Sequence, residues 1–196
     1  MDDLFARLDE KLGRRLSGRW LADRFPTLDP AARSSSLCTD PVFLPFFYHL
    51  GQLTRPGVVL DLRVGVGLRS GAYGLGAGGC GVLAWHDGAE PARLARCNLR
   101  SCGCRAEVFG GPWDEEAFVG RWREAGAVLL HGEDSYDRLL HKLDLVWGEV
   151  GPETLIVADE VVARPTTGVA VRDFCRSKNR PFKPYPSRHG TVCILR

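Results

Sequence analysis

Short apolar runs and helical stretches alternate along the chain from Val58 to its carboxyl end. The runs VVLDL, AVLLH and TLIVADE are almost continuously apolar, and stretches such as EEAFVGRWREAG (residues 115–126) and SYDRLLHKLDLVWGEV lie between such runs. Nearly continuous apolar strands are typical of a parallel sheet that is covered on both faces. The sequence therefore predicts an α/β fold, a doubly wound and mostly parallel sheet with helices on both faces.

The segment before Val58 predicts an N-terminal helical extension. Leucines recur every four residues from Leu4 to Leu16 and predict a helix that ends near Gly18. A loop rich in Pro, Ser and Asp follows, and FLPFFYHLGQL then predicts a second helix with Pro45 in its first turn. We expect an N-terminal helix and loop extension over residues 1–45 and an α/β domain over residues 46–196.

Charge and cysteine content restrict the partners and the compartment. The 26 basic and 24 acidic residues give a formal net charge of +2, which is not the charge pattern of a nucleic-acid-binding protein. The locally basic segment 176–189 is interpreted as a solvated loop. No stretch resembles a signal peptide or a membrane span, and an odd number of cysteines, seven, cannot form a complete disulfide framework. We expect a cytoplasmic protein with no membrane or nucleic-acid partner.

A glycine-rich turn, DLRVGVGLRS, follows the first predicted strand. Gly65 and Gly67 stand where the backbone must turn sharply and let a ligand approach, and the helix behind them has an amino end that favours negative charge. Ligands of doubly wound sheets bind beyond the carboxyl ends of the strands. The turn is therefore either a ligand cradle or a tight strand-to-helix connection without a ligand.

Over residues 43–196, the order of the motifs resembles the class I S-adenosylmethionine-dependent methyltransferases, within them the small O-methyltransferase and cephalosporin-hydroxylase-like branch. The first motif of that family is similar to VVLDLRVGVG, and its second strand and helix are similar to AWHDGAEPARLARCNL. Its fourth, fifth and terminal strands are similar to AVLLHGEDSYDRLLHKLDLVW, TLIVADEVVARPTTGVAVRDF and RHGTVCILR. The resemblance implies a Rossmann-like methyltransferase fold and O-methyl transfer from S-adenosylmethionine to a small molecule or sugar.

The resemblance also implies the residues that hold S-adenosylmethionine. They lie at the ends of the first three strands: Asp61, Arg63, Gly65, Gly67, Asp87 and Asp114. The carboxylate that grips the ribose aligns with Asp87 in one register, whereas the other register places His86 there. Arg63 replaces the first glycine of the family's turn, so its guanidinium would project beside the methionine part of the cofactor or pair with a carboxylate or phosphate. Asp114 could supply the acid for the adenine amino group.

The ends of the fourth and fifth strands supply the candidate catalytic residues, His131 and Asp159. In metal-dependent members of the family these strand ends carry metal ligands, so the resemblance implies a divalent metal held by His131, Asp159 and Glu160, with Glu133 and Asp134 close by. A histidine among the ligands favours a softer metal than magnesium. Such a cation would orient two substrate oxygens and lower the pKa of the hydroxyl to be methylated. The alternative is that Asp159 caps a helix or loop and the nearby acids are solvated.

Two further hypotheses follow from the departures from the family pattern. Because a fold does not fix an activity, the chain could be a catalytically inactive methyltransferase-fold protein that serves as a structural or interaction module in a homo-oligomer or larger assembly. Alternatively, Arg63 and Arg69 could make the glycine turn a site for a phosphorylated ligand. Binding of S-adenosylmethionine distinguishes the enzyme from both.

Overall fold

The computed structural model describes residues 2–12, 44–113, 116–118, 120–131, 135–185, 187 and 189–196. The helices in these ranges are α1 (Asp2–Leu12), α2 (Leu44–Thr54), α3 (Leu68–Ala77), α4 (Ala89–Ser101), α5 (Tyr136–Glu149) and α6 (Pro165–Ser177). The strands are β1 (Val58–Asp61), β2 (Gly81–His86), β3 (Arg105–Gly110), β4 (Ala125–Leu130), β5 (Leu155–Asp159), β6 (Phe182–Tyr185) and β7 (Thr191–Leu195).

The seven strands form one sheet in the order β3-β2-β1-β4-β5-β7-β6. β1 to β5 are parallel, and β7 is antiparallel to both of its neighbours. The strand order reverses between β1 and β4, where Asp61 is in register with Leu129. Because parallel strands end at the same edge, the residues that follow β1, β4 and β5 lie beside this reversal point, where doubly wound sheets bind ligands.

Both faces of the sheet are buried, as the apolar strands predict. Side chains alternate between the faces: Val59 belongs to one core cluster with helices α1 to α4, whereas Leu60 belongs to the other cluster with α5 and α6. The prediction of a doubly wound, mostly parallel sheet with helices on both faces is confirmed. α2 also carries Pro45 as its second residue, a position that needs no backbone N–H.

Two local predictions differ from the structure. The stretch over residues 115–126 contains two short 3₁₀ helices, Glu116–Phe118 and Trp122–Glu124, because Gly120 between them has a φ of 78° that interrupts a helix. The basic segment predicted as a solvated loop contains β6, which pairs with β7 at the edge of the sheet. Pro184 is tolerated in β6 because an edge strand has a side without ladder hydrogen bonds.

The remaining predictions about elements fall at the limits of the described ranges. α1 is described to Leu12, and its predicted end near Gly18 lies outside the described residues. Among the helices described, none has the length and apolar character required to cross a membrane.

Candidate functional site

The glycine-rich turn connects β1 to α3 in a tight loop. Gly65 and Gly67 have φ values of 58° and 85°, in the left-handed region that glycine enters without steric cost. A Cβ on Gly67 would lie 3.1 Å from the carbonyl oxygen of Ala95 in α4. The Val64 N–H donates to the carbonyl oxygen of Trp85 at 2.9 Å and fixes the turn against β2. The backbone therefore has the sharp turn that the sequence predicts.

Arg69, the second residue of α3, lies beside this turn and is only 3% exposed. Its Nη2 donates to Asp61 Oδ1 at 3.2 Å and to the carbonyl oxygen of Arg63 at 3.0 Å. Its Nη1 lies 3.1 Å from His131 Nδ1 and 3.6 Å from Asp159 Oδ2. One guanidinium thus connects the ends of β1, β4 and β5.

Asp61 is completely buried at the end of β1. Its Oδ1 accepts from Arg69 and from the Arg63 N–H, and its Oδ2 accepts from the Ser70 hydroxyl. A buried carboxylate requires such donors because burial removes its hydration. These three donors hold Asp61 inside the protein, beneath the surface of the turn.

Asp159 is 5% exposed at the end of β5 and has a similar set of partners. Its Oδ1 accepts from the Thr191 hydroxyl at 2.8 Å and from the Glu160 N–H at 2.9 Å, while its Oδ2 faces Arg69. The following residue, Glu160, has a φ of 63°, which is strained for a residue with a side chain. Backbone strain of this kind tends to occur at functional sites.

His131 joins the two halves of this network. A guanidinium can only donate, so the contact with Arg69 makes Nδ1 the acceptor, and Nε2 carries the proton 3.3 Å from Glu160 Oε1. The other oxygen of Glu160 accepts from Arg164 Nε at 2.6 Å. Burial, and then the charges of nearby arginines, lower the pKa of His131 well below its ordinary value. The ring is therefore neutral at neutral pH.

Glu160 is 14% exposed, and its pKa is set by burial and by nearby charges of both signs. Burial raises its pKa first, and the neighbouring Asp159 raises it further, whereas Arg69 and His189 act in the opposite direction. A raised carboxyl pKa is characteristic of groups that exchange protons at active sites. Glu160 is thus the carboxylate of this network best suited to accept a proton.

Arg63 and Asp87 form the more exposed part of the site, across the ends of β1 and β2. Their side chains are 29% and 55% exposed, and Arg63 Nη2 lies 3.9 Å from Asp87 Oδ2. His86 points inward, and its Nδ1 accepts from the Gly88 N–H at 2.8 Å. Burial lowers its pKa, so its 2.9 Å contact with Asp87 is not an ion pair. Asp87 is therefore the outward-facing carboxylate at this strand end.

The structure brings together most of the residues that the sequence singles out. Asp61, His131, Asp159 and Glu160 share one network, and Arg63 and Asp87 lie at its open side. Asp114, Glu133 and Asp134 lie outside the described residues. Sequence reasoning noted Arg69 only as an anion contact, and it missed three further members of the network: Ser70, Arg164 and Thr191.

One signal in the sequence could have identified Arg69. A cation in the first turn of a helix opposes the helix dipole, which favours negative charge there. Leu68, Ala72 and Tyr73 around it are all buried, so this arginine faces the core and requires carboxylate partners. Ser70 and Thr191 carry no comparable signal because hydroxyl groups occur in many buried environments.

The predicted metal ligands do not fit a divalent ion in this arrangement. The single lone pair of His131 Nδ1 already faces the Arg69 guanidinium, which also faces Asp159 Oδ2, and Nε2 carries the ring proton that faces Glu160 Oε1. A metal needs these atoms at about 2.0–2.2 Å with their lone pairs free. Over the part of the chain that is described, no three His, Cys, Asp or Glu side chains form a cluster that could hold a metal.

Comparison with known proteins shows similarity in fold rather than in sequence. No protein-family model matches the chain, and no curated protein matches it. Among solved structures, the O-methyltransferase TomG from Streptomyces achromogenes, in complex with S-adenosylmethionine, has a TM-score of 0.66 at 13% identity, covering 93% of this chain and 90% of its own. The O-methyltransferase from Bacillus cereus, in complex with S-adenosylhomocysteine, has a TM-score of 0.63 at 14% identity, covering 97% and 91%. The cofactor-bound protein Rv0187 from MTB has a TM-score of 0.68 at 18% identity, covering 98% and 95%.

Proposed function

We propose that this chain, which has the fold of solved O-methyltransferases, transfers a methyl group from S-adenosylmethionine to an oxygen of a small molecule or sugar. The observation that carries the proposal is what lies at two adjacent strand ends, those of β1 and β2. β1 ends in the left-handed glycine turn of Gly65 and Gly67, and β2 ends in the half-exposed carboxylate of Asp87. A turn that admits a ligand beside an outward carboxylate suits a nucleoside with a charged tail.

The residues at this edge fit the cofactor by their chemistry. Asp87 would accept hydrogen bonds from the two ribose hydroxyls, since a carboxylate offers two acceptor oxygens. Arg63, in contact with Asp87 from across the turn, would pair with the carboxylate of the methionine part. When bound, S-adenosylmethionine supplies an electrophilic methyl group. Asp114 stays a prediction for the adenine end.

The buried network would act on the acceptor. Glu160 would take the proton of the acceptor hydroxyl, because its raised pKa brings it closer to neutral pH. The predicted catalytic residues act through their neighbours in this proposal: His131 donates to Glu160, and Asp159 holds Arg69. The rate enhancement would come mainly from fixing the acceptor oxygen in line with the methyl group.

The alternative hypothesis, a catalytically inactive module in an assembly, has one observation in its favour. Arg63 lies across the mouth of the turn toward Asp87, where it could close the cofactor pocket. Light scattering coupled to gel filtration distinguishes the two: a stable monomer that binds S-adenosylmethionine argues against the module, whereas an oligomer without affinity for the cofactor supports it.

Calorimetric titration with S-adenosylmethionine and S-adenosylhomocysteine tests the enzyme. We expect one site with a micromolar dissociation constant. Replacement Asp87→Asn should weaken binding at least about tenfold, equivalent to about 1.4 kcal/mol, because an amide accepts fewer hydrogen bonds. The matched control is Asp3→Asn, which changes a carboxylate with 84% exposure on α1 and should leave binding unchanged.

The absence of heat and of a thermal shift at millimolar concentrations of both ligands would refute the proposal. The variant Arg63→Gly then identifies the cause. A gain of binding in Arg63→Gly, but not in the control Arg105→Gly at the opposite end of the sheet, would show that Arg63 closes the pocket. If the proposal is correct, Arg63→Gly weakens binding instead, because the cofactor carboxylate loses its partner.

A further inference from the structure

Two of the side chains predicted to hold a metal, His131 and Asp159, converge with Asp61 on a cation that belongs to the protein itself. His131, Asp159 and Asp61 come from the ends of three different strands, and each presents an acceptor atom to Arg69 at 3.1 to 3.6 Å. An imidazole nitrogen and carboxylate oxygens are also the ligand atoms that bind a divalent metal. The guanidinium lies among these three ligand atoms, in the place that a metal would need.

The two terminal nitrogens of Arg69 face four acceptor atoms. Nη2 faces Asp61 and the Arg63 carbonyl oxygen, and Nη1 faces His131 and Asp159. Three of these contacts are hydrogen bonds, and the fourth, from Nη1 to Asp159 Oδ2 at 3.6 Å, is an ion pair. A lysine could not reproduce this pattern, because its ammonium is a point charge with three donors on a flexible stem.

The position of Arg69 in the first turn of α3 also shows that the carboxylates and the imidazole serve as its partners. A positive charge in the first turn of a helix is unfavourable, and its side chain is 3% exposed. Two carboxylates and a neutral imidazole compensate for both costs: Asp61 and His131 accept directed hydrogen bonds, and Asp159 lies at ion-pair distance. Without the guanidinium, Asp61 and Asp159 would be buried carboxylates that lack a common counter-ion.

We propose that Arg69 is the permanent cation of this site and that it takes the place of a divalent metal. The site is then independent of metal ions, and its donor atoms become a metal site only when the guanidinium is removed. This inference concerns the site of the proposed function, but it is tested by metal binding alone. Its failure and the failure of methyl transfer are therefore distinguishable.

The test compares the wild-type protein with Arg69→Ser in titrations with Mn²⁺, followed by calorimetry and by thermal unfolding. We expect no saturable Mn²⁺ binding and no shift of the melting temperature in the wild type. Arg69→Ser should melt at a lower temperature, gain one Mn²⁺ site and recover stability when Mn²⁺ is added. The gained affinity should fall at least about tenfold in the double variant Arg69→Ser with Asp159→Asn, because a ligand is lost.

Two controls keep the test decisive. Arg105→Ser removes an arginine at the opposite end of the sheet and should gain no site. If Arg69→Ser does not fold alone, refolding with and without Mn²⁺ provides the measurement, and recovery of helical circular dichroism only with the metal supports the proposal. Saturable Mn²⁺ binding by the wild type would overturn it, and so would an Arg69→Ser protein that neither binds Mn²⁺ nor is rescued by it.

Discussion

At the scale of single residues, the buried network determines the protonation of His131. Burial lowers its pKa most, and Arg69, Arg63 and Arg164 lower it further. The neutral ring then donates from Nε2 to Glu160 while it accepts from Arg69 at Nδ1. Protonation of His131 would place a second cation beside Arg69. Acid should therefore first break the contact between these two residues.

This depressed pKa predicts a loss of stability in mild acid. Below the ordinary histidine pKa of 6.5, the unfolded chain binds a proton that the folded chain excludes, so stability falls as the pH decreases toward the depressed value. We expect the free energy of unfolding in urea to fall by up to about 1.4 kcal/mol per pH unit for each such histidine. His49 and His86, whose pKa values are also lowered by burial, contribute with the same sign.

The variant His131→Gln should reduce this slope, and the control His141→Gln on the exposed surface of α5 should preserve it. The raised pKa of Glu160 acts in the opposite direction: just above pH 4.5 the folded chain retains a proton that the unfolded chain releases, which offsets part of the loss. An unchanged slope in His131→Gln would contradict the prediction.

At the scale of secondary-structure elements, α2 and α3 pack backbone against backbone. A Cβ on Gly76 of α3 would overlap the carbonyl oxygen of Tyr48, and a Cβ on Gly51 of α2 would overlap that of Tyr73. Backbone atoms cannot rotate away as a side chain can. These glycines therefore permit the close contact that holds the helix behind the glycine-rich turn in place.

This contact predicts opposite effects for the same substitution in two helices. Gly76→Ala should destabilise the protein by about 1–3 kcal/mol, because overpacking outweighs the better helix propensity of alanine. Gly148→Ala is the matched control: Gly148 lies at an exposed position of α5 and its Cβ would meet nothing within 4 Å, so it should stabilise by about 0.5–1 kcal/mol. Chemical denaturation of both variants measures the difference, and equal signs would contradict the prediction.

At the scale of the whole molecule, the N-terminal helix belongs to the same core as the sheet. Leu8 of α1 is fully buried and lies in the core cluster that contains Phe47 of α2 and Val59 of β1. Lys183 of β6 also contacts Asp9 at 3.1 Å. The division of the chain at residue 45 stays a prediction, and these contacts favour one cooperative unit that includes α1.

Cooperativity of this kind can be measured by truncating one side chain. Leu8→Ala should lower the free energy of unfolding by about 2–5 kcal/mol, with one transition in circular dichroism and in tryptophan fluorescence. Trp122 reports from the cluster on the other face of the sheet, so both signals should shift together. Arg7→Ala, at an exposed position of the same helix, is the control and should change stability by less than about 0.5 kcal/mol. A fluorescence midpoint that does not shift in Leu8→Ala would show that α1 is a separate unit.

The fold could be predicted from the sequence because its signals are local. Apolar runs such as VVLDL and TLIVADE encode buried strands, Pro45 marks the start of a helix, and Gly65 and Gly67 mark a left-handed turn; each depends on a few neighbouring residues. The stretch around Gly120 and the edge strand β6 were mispredicted because their local patterns are weak. The sequence of β6 is typical of a loop, and its residues form a strand because they pair with β7.

The contacts of the site were decided by the tertiary structure alone. Asp61, His131 and Asp159 could be selected from the sequence because each lies at or just after the end of an apolar run. Their common partner could not, since Arg69 and His131 are 62 residues apart and meet only because β1 and β4 are neighbours in the sheet. Sequence periodicity reports which side of a strand or helix is buried, but it does not report which strand ends are adjacent. The sequence therefore determined the fold and the edge at which to look for a ligand, while the packing of the strands placed a guanidinium where a metal was expected.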